Sequence, residues 1–194
     1  MTAMLYYQEI TLLPDAETSV NFLWTKVFTQ LHIALADRKN KQSRVDIAVS
    51  FPEYGENTLG TKMRILAESE ETLEEFLARK VLRRFSDYVH ITGIRPVRLK
   101  LIRGWSIYSR WQPDGTAERK ARRYVRRHEG VTYEEARKLL KEKKADDYPP
   151  YIQMQSLSNK KGFSLFIEKK DAEEGQKGII GTYGLSREQA VPEF

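Results

Sequence analysis

The sequence predicts an α+β chain in two parts, and three observations carry that prediction. Over residues 1–98 apolar residues recur with strand and helix periods in the order β-α-β-β-α-β. Over 99–194 the pattern changes to a short extended stretch, two charged helices and further strands. The charge divides at the same place: residues 1–97 hold 12 basic and 13 acidic side chains, and 98–194 hold 21 and 14. The first part reads as electrically neutral scaffold, the second as a surface that seeks polyanions.

Residues 5–12, LYYQEITL, predict a strand that Pro14 and Asp15 break. Apolar residues at 20, 23, 24, 27, 28, 31, 34 and 35 follow the 3.6-residue period of a helix over 19–37 with one buried face. RVDIAVSF (44–51), ended by Pro52, and TKMRILAE (61–68) predict paired strands. Ser69 and the glutamates after it open a helix over 69–88, and VHITGIRPVRL (89–99) closes the series as a strand. This order is the ferredoxin-like pattern. The expected boundary therefore sets a ferredoxin-like domain at 1–98 beside an α+β domain at 99–194.

In the second part, GWSIYSRWQPDG (104–115) is extended with a turn, and AERKARRYVRRH (117–128) is a helix. VTYEEARKLLKEKK (131–144) is a second helix, with Thr132 as its cap and Glu135 at the capping-box position. DDYPP (146–150) reads as a linker. YIQMQSLS (151–158) and FSLFIEKK (163–170) read as strands joined by the turn NKKG, and GIIGTYGLS (178–186) as a last strand interrupted by glycine.

There is no cysteine, which excludes disulfides, thiolate-bound zinc, iron–sulfur clusters and thiol nucleophiles. The three histidines, His32, His90 and His128, do not stand in an HExxH or HxH spacing, so neither metal nor cofactor is expected. No apolar run approaches the roughly 18 residues needed to span a bilayer. The N-terminal stretch also lacks the basic start of a signal peptide. A soluble cytoplasmic protein without a membrane contact is the expectation.

Six of the twelve residues at 117–128 are Lys or Arg, against one acid, Glu118. At 100° per residue Arg119, Arg122, Arg123, Arg126 and Arg127 fall along one broad side, and Ala117, Ala121, Tyr124 and Val125 on the other. A comb of arginines without acidic neighbours suits phosphates, onto which the guanidinium forks as an ammonium cannot. The other reading of such a run is a solvated face without a partner. Arg110 and Gln112, two apart in an extended stretch, project to one side, and these side-chain types pair with guanine and adenine edges. A helix-turn-helix DNA binder is disfavoured because 131–144 is too balanced in charge for a recognition helix.

The stretches SRWQPDGTAERKARRYVRRH (109–128), SLS…GFSLFI (156–167) and TYGLS (182–186), with the Leu-His pair on the first helix, resemble the type I-F CRISPR repeat-processing endoribonucleases. The glycines at 178, 181 and 184 loosely resemble the glycine-rich loop of the wider repeat-endonuclease group. The resemblance implies cleavage of CRISPR precursor RNA at the 3′ base of the repeat hairpin, without a metal. The 2′-hydroxyl would attack its own phosphate, leaving a 2′,3′-cyclic phosphate and a 5′-hydroxyl. It implies that the enzyme stays on the mature crRNA and joins the other subunits of a type I-F surveillance complex. A non-catalytic module for structured RNA is the alternative.

On that resemblance His32 matches the catalytic histidine, as general base on the 2′-hydroxyl or as general acid toward the leaving 5′-oxygen. Ser156 matches the second catalytic residue, a hydroxyl that holds the 2′-hydroxyl in line, with Ser158 its nearest rival. Tyr183 matches a tyrosine that orients the histidine. Arg110 and Gln112 match the pair that reads the lowest purines of the stem. Arg119, Arg122, Arg123, Arg126 and Arg127 form the comb that enters the groove of the hairpin, and His128 follows at the helix end. Phe163 matches an aromatic stacked on a base at the bottom of the stem; as a core strand residue it would share a face with Leu165 and Ile167.

Overall fold

The computed structural model describes residues 4–13, 15–113, 115, 117–139, 148–156 and 159–194. Strand β1 (Tyr6–Leu12) leads into the 23-residue helix α1 (Val20–Gln42). The Ser19 side chain caps α1 by accepting the Phe22 N–H at 3.3 Å, and the helix stops at Ser43 in the left-handed region (φ 55°). Leu23, Trp24, Val27, Phe28, Leu31 and Leu35 bury the expected stripe, but Val20 is exposed and Arg38 extends the stripe into the interior.

Strands β2 (Ala48–Ser50), β3 (Lys62–Ala67) and β4 (Val89–Ile91) complete an antiparallel sheet of spatial order β2-β3-β1-β4. Tyr6 lies opposite Ala67, and Ile10 lies opposite Met63 on one side and Ile91 on the other. The strand expected over 89–99 is interrupted: after β4 the chain leaves the ladder and returns as β5 (Arg95–Pro96), which also pairs with β1. The helix expected over 69–88 is also shorter. α2 (Glu70–Phe76), capped by Ser69, ends where Leu77 turns left-handed (φ 54°), and α3 (Ala78–Val81) and a 3-10 turn (Arg83–Phe85) follow.

The second sheet has the order β7-β8-β6-β9, from β6 (Gly104–Trp111), β7 (Tyr151–Gln155), β8 (Gly162–Ala172) and β9 (Val191–Glu193). The sequence reading did not anticipate β9. It placed a strand over 178–186, where the structure has a tight turn that makes only an isolated bridge, Ile180 to Ser186. Gly181 N–H donates to Leu185 O and Gly184 N–H to Gly181 O, so these backbone groups serve the turn and not a ladder. Helices α4 (Ala117–Val125) and α5 (Tyr133–Leu139) pack together through the buried Ala121 and Ala136. Thr132 and Glu135 form the expected capping box: Thr132 N–H donates to Glu135 Oε2 at 2.9 Å, and Glu135 N–H to Thr132 Oγ1 at 3.3 Å. The breaker Pro14, residues 140–144 of the second expected helix, the start of the linker at 146–147, and Leu157 and Ser158 lie outside the described residues. Among the described residues no helix is long and apolar enough to cross a membrane.

The core is continuous between the two sheets. Phe28, Phe51, Ile65 and Leu66 of the first part cluster with Tyr108, Ile152, Leu165 and Ile167 of the second. Each large side chain so buried contributes roughly 1.5–3 kcal/mol. Tyr54 donates its hydroxyl to Ile167 O at 3.0 Å. Burial, and then the Glu193 carboxylate, push the Tyr108 hydroxyl far above its ordinary range. It stays protonated and shares its one hydrogen between Phe51 O (3.1 Å) and Glu193 (2.9 Å).

Arg38 is the one charged side chain of α1 drawn into the interior. Its guanidinium forks onto Asp46 at 2.9 and 3.1 Å and reaches Glu75 at 3.2 Å, while Arg44 holds Asp46 and Glu75 from the other side. Burial opposes ionisation of Asp46, yet the Arg38 hydrogen bonds and charge, with Arg44, hold its carboxyl below the usual carboxylate range. A carboxylate with a depressed folded-state pKa contributes stability above its unfolded pKa and loses it as pH falls through the folded one. The pH dependence of urea unfolding below the ordinary carboxylate range should therefore be shallower in Asp46→Asn than in wild type. Arg38→Ala, which strands Asp46 beside Arg44 alone, should cost on the order of 2–3 kcal/mol at neutral pH in the same assay.

Candidate functional site

His32 lies on α1 one turn beyond Phe28, half-buried at the edge of the apolar stripe, as the helical count predicts. Its Nδ1 is 2.9 Å from the carbonyl oxygen of Thr182. A carbonyl oxygen only accepts, so Nδ1 carries the hydrogen and the neutral ring keeps its lone pair on Nε2. Tyr183 stacks on the imidazole with ring centroids 4.0 Å apart and planes 12° apart. The Tyr183 ring is also parallel to Phe28, at 6.5 Å and 6°. Position, plane and tautomer of His32 are thus set by two consecutive residues of the glycine turn.

That turn is itself held. Gly184 has φ +69°, and its carbonyl accepts the Val49 N–H at 2.9 Å. A Cβ at Gly184 would lie 2.6 Å from Val49 Cγ1, so only glycine fits against β2 there. Ser186 N–H donates to Tyr108 O at 2.9 Å, which fastens the far end of the turn to β6.

Arg110 leaves the end of β6 exposed to solvent, its guanidinium 5.4 Å from the Phe163 ring and 5.8 Å from the Tyr183 ring. Arg110, Gln112 and Tyr183 line one cavity of about 440 Å³, together with Ile179, Arg187 and Glu188. Phe163 is half-buried, whereas Leu165 and Ile167 on the same face are fully buried, so Phe163 forms the rim of the core. Ser156 follows β7 with the parity of the buried Ile152 and Met154 and is half-buried; its N–H donates to Lys161 O at 2.9 Å. Thr29 Oγ1 meets Met154 Sδ at 3.8 Å, which joins the helix that carries His32 to the strand that leads to Ser156.

The structure therefore brings His32, Tyr183, Arg110, Gln112 and Phe163 into one neighbourhood. The arginine comb lies on an exposed surface. Arg119, Arg122, Arg123, Arg126 and Arg127 are exposed, and Ala121 is fully buried beneath them. Arg122, Arg123, Arg126 and Arg127 have no ion-pair partner among the described residues. His128 stacks on Tyr124 at 4.0 Å, and its Nδ1 meets Tyr124 O at 3.0 Å, which closes the end of the helix. Among the described residues no group of three or more carboxylate or imidazole side chains is placed to hold a metal ion.

The comparisons agree with the motifs. The sequence matches the family of CRISPR-associated proteins designated Cas_Csy4 over residues 7–194. The chain belongs to the Csy4 family. It is 34% identical over 194 residues to the CRISPR-associated endonuclease Cas6/Csy4 of Escherichia coli (strain UTI89 / UPEC), covering 97% of this chain and 99% of that protein. It is 32% identical over 193 residues to the protein of the same name from Pseudomonas aeruginosa (strain UCBPP-PA14), with 97% and 99% covered.

Sequence reasoning missed the Thr182 carbonyl, Phe28 and the cavity walls Arg187 and Glu188 of this Csy4-family chain. A backbone oxygen leaves no mark in composition, and a buried phenylalanine at helical spacing reads as core. Gly184→Ala should lower stability by about 2–3 kcal/mol through strain at positive φ and the clash with Val49. Gly181→Ala, at a negative φ and with only a 3.4 Å approach to Leu185 O, should stay within about 1 kcal/mol of wild type in the same urea titration.

Proposed function

We propose that this chain is a metal-independent endoribonuclease that cuts CRISPR precursor RNA at the 3′ base of its repeat hairpin. The observation that carries the reading is the His32–Thr182 hydrogen bond, which leaves Nε2 as a free base on a ring held in place by Tyr183. In the proposed reaction Nε2 takes the proton of the ribose 2′-hydroxyl. That oxygen bonds to the adjacent phosphorus, the bond to the 5′-oxygen breaks, and the products are a 2′,3′-cyclic phosphate and a 5′-hydroxyl. Ser156 holds the 2′-hydroxyl in line. Positioning of this kind accounts for much of the rate of an intramolecular displacement.

In this reading Arg110 and Gln112 read the lowest purines of the stem, and Phe163 stacks on the base beneath them. The exposed comb from Arg119 to Arg127, with His128, grips the phosphates of the hairpin, and Ser158 is a further RNA-binding residue and the rival candidate for the role of Ser156. The family relationship and the exposed cations support retention of the mature crRNA and assembly with the other subunits of a type I-F surveillance complex. We further propose that residues 1–98 form a ferredoxin-like unit and 99–194 the RNA-gripping unit. The strand order β2-β3-β1-β4, with α1 and α2 packed on β1, supports the first assignment.

The decisive assay mixes the protein with a labelled repeat hairpin in EDTA and resolves the product ends. A cyclic phosphate is expected. A requirement for magnesium or a 3′-hydroxyl product would overturn the mechanism, and binding without cleavage would leave a structured-RNA-binding module. His32→Ala should reduce cleavage by roughly 10²–10⁴ with hairpin affinity within a few-fold of wild type. Tyr183→Phe, which keeps the stacked ring, should retain most activity, and Tyr183→Ala should lose on the order of tenfold or more in single-turnover rate. Arg123→Ala should weaken hairpin binding and flatten the slope of log affinity against log salt by about 1, measured by filter binding.

A further inference from the structure

A second cavity, of about 460 Å³, opens between the α2–α3 junction and the segment joining β4 to β5, and it shares no wall residue with the cavity beside Tyr183. Its apolar surface includes Leu77, Ala78 and Ile94. Leu77 is the unusual one. It sits at φ 54° and the residue is 53% exposed. The backbone accounts for the corner, since Leu77 N–H donates to Leu73 O and Leu77 O accepts from Lys80 and Val81. It does not account for a leucine, whose Cβ crowds the backbone at positive φ where glycine would not.

Gln8 supplies an independent observation. It lines the same cavity and is only 5% exposed. Its Nε2 donates to Thr92 O at 2.8 Å, which fixes the orientation of the amide, because that carbonyl can only accept. Gln8 Oε1 is left buried without a hydrogen-bond partner among the described residues, a state that is rare in native structures.

Arg79 and Lys80 of the cavity wall begin a cationic stretch. Residues 78–86 contain Arg79, Lys80, Arg83 and Arg84 and no acid. All four are exposed, and none has an ion-pair partner among the described residues. Arg79 is anchored by donating to Ile91 O, and a single carboxylate, Glu74, lies on the wall.

We propose that this cavity docks an acidic, amphipathic segment of a partner protein. The segment seats an apolar side chain against Leu77, Ala78 and Ile94, lies along the wall that Gln8 supplies, and sets its carboxylates against Arg79 and Lys80 and the exposed Arg83 and Arg84 that follow them in the chain. A polypeptide fits better than a nucleic acid, because the cavity wall carries no aromatic ring on which a base could stack.

The test uses the full chain loaded with its hairpin RNA, so that the comb on α4 is covered. The probe is a fluorescein-labelled helical peptide of about four turns, with leucines at i and i+4 and glutamates elsewhere. Saturable anisotropy, with methyl NMR shifts at Leu77 and Ile94, is expected. Replacing the peptide leucines by serine, or its glutamates by lysine, should weaken binding about tenfold or more. Leu77→Gly should weaken it similarly while the thermal midpoint holds or rises, since glycine relieves the positive φ. Absence of binding at millimolar peptide, binding indifferent to Leu77→Gly, or loss of hairpin affinity in Leu77→Gly would each overturn the proposal; the last would make the surface part of the RNA site. The readout involves no cleavage and locates the peptide on the chain, so it stands or falls separately from the proposed ribonuclease activity.

Discussion

One hydrogen bond, from His32 Nδ1 to the carbonyl of Thr182, joins the first helix to a turn 150 residues later. The candidate site depends on it. It decides which ring nitrogen keeps a lone pair, and the neighbouring Tyr183 ring decides the plane in which that lone pair lies. The turn has no ladder of its own. It is positioned by Val49 of the first sheet through Gly184 and by Tyr108 of the second through Ser186. The imidazole is therefore oriented only when both sheets are in place and share their core. A histidine fixed by a single element would be free to rotate about χ1 and χ2. Here the restraint is distributed over the whole fold.

Arginine performs two different tasks in this chain, and the location of carboxylates separates them. Arg38, Arg44 and Arg64 each meet a carboxylate within 2.9 Å or less at their best contact, and they tie elements together. Arg64 also donates to Phe194 O and lies 3.9 Å over its ring, which fixes the chain end to β3. Arg122, Arg123, Arg126 and Arg127 have no such partner among the described residues and keep their charge for whatever approaches from solvent. The same holds on a smaller scale for Arg79, Lys80, Arg83 and Arg84. A half-by-half charge sum hides that second patch, because acids just before it in the chain, Glu68, Glu70, Glu71, Glu74 and Glu75, balance it in the total.

What the sequence disclosed follows from the range of the forces involved. The stripe of α1, the caps Ser69 and Thr132 and the outward comb on α4 are decided within one or two turns, and they were legible. The shortened helix at Leu77 and the interrupted strand after Ile91 were not, because packing between α2, α3 and β1 decides them against local propensity. The stretch 178–186 misled for the same reason. Its alternation resembles a strand, but Gly184 at positive φ closes a turn whose backbone partners lie on β2 and β6. Within the site, His32 and Tyr183 could be named from motifs. Their mutual stacking and the carbonyl that sets the tautomer are contacts between distant segments and leave no local signature.

The exposed comb and the stacked imidazole differ as the two proposed tasks would demand. Attraction between a cationic helix and a polyanion acts over a Debye length, roughly 8–10 Å at physiological salt, and tolerates side chains that move. Unpaired arginines on an exposed face suit it, since internal ion pairs would consume the field. Proton transfer tolerates displacements of only a fraction of an ångström, so a base that performs it must be held by short-range contacts such as the 2.9 Å bond and the 4.0 Å stack on His32. A flexible arginine in place of those contacts would sacrifice the orientation. A network of buried bonds around α4 would sacrifice the reach. The described residues follow that division: His32 is half-buried between α1 and the glycine turn, whereas the arginines of the comb stand exposed over the buried Ala121.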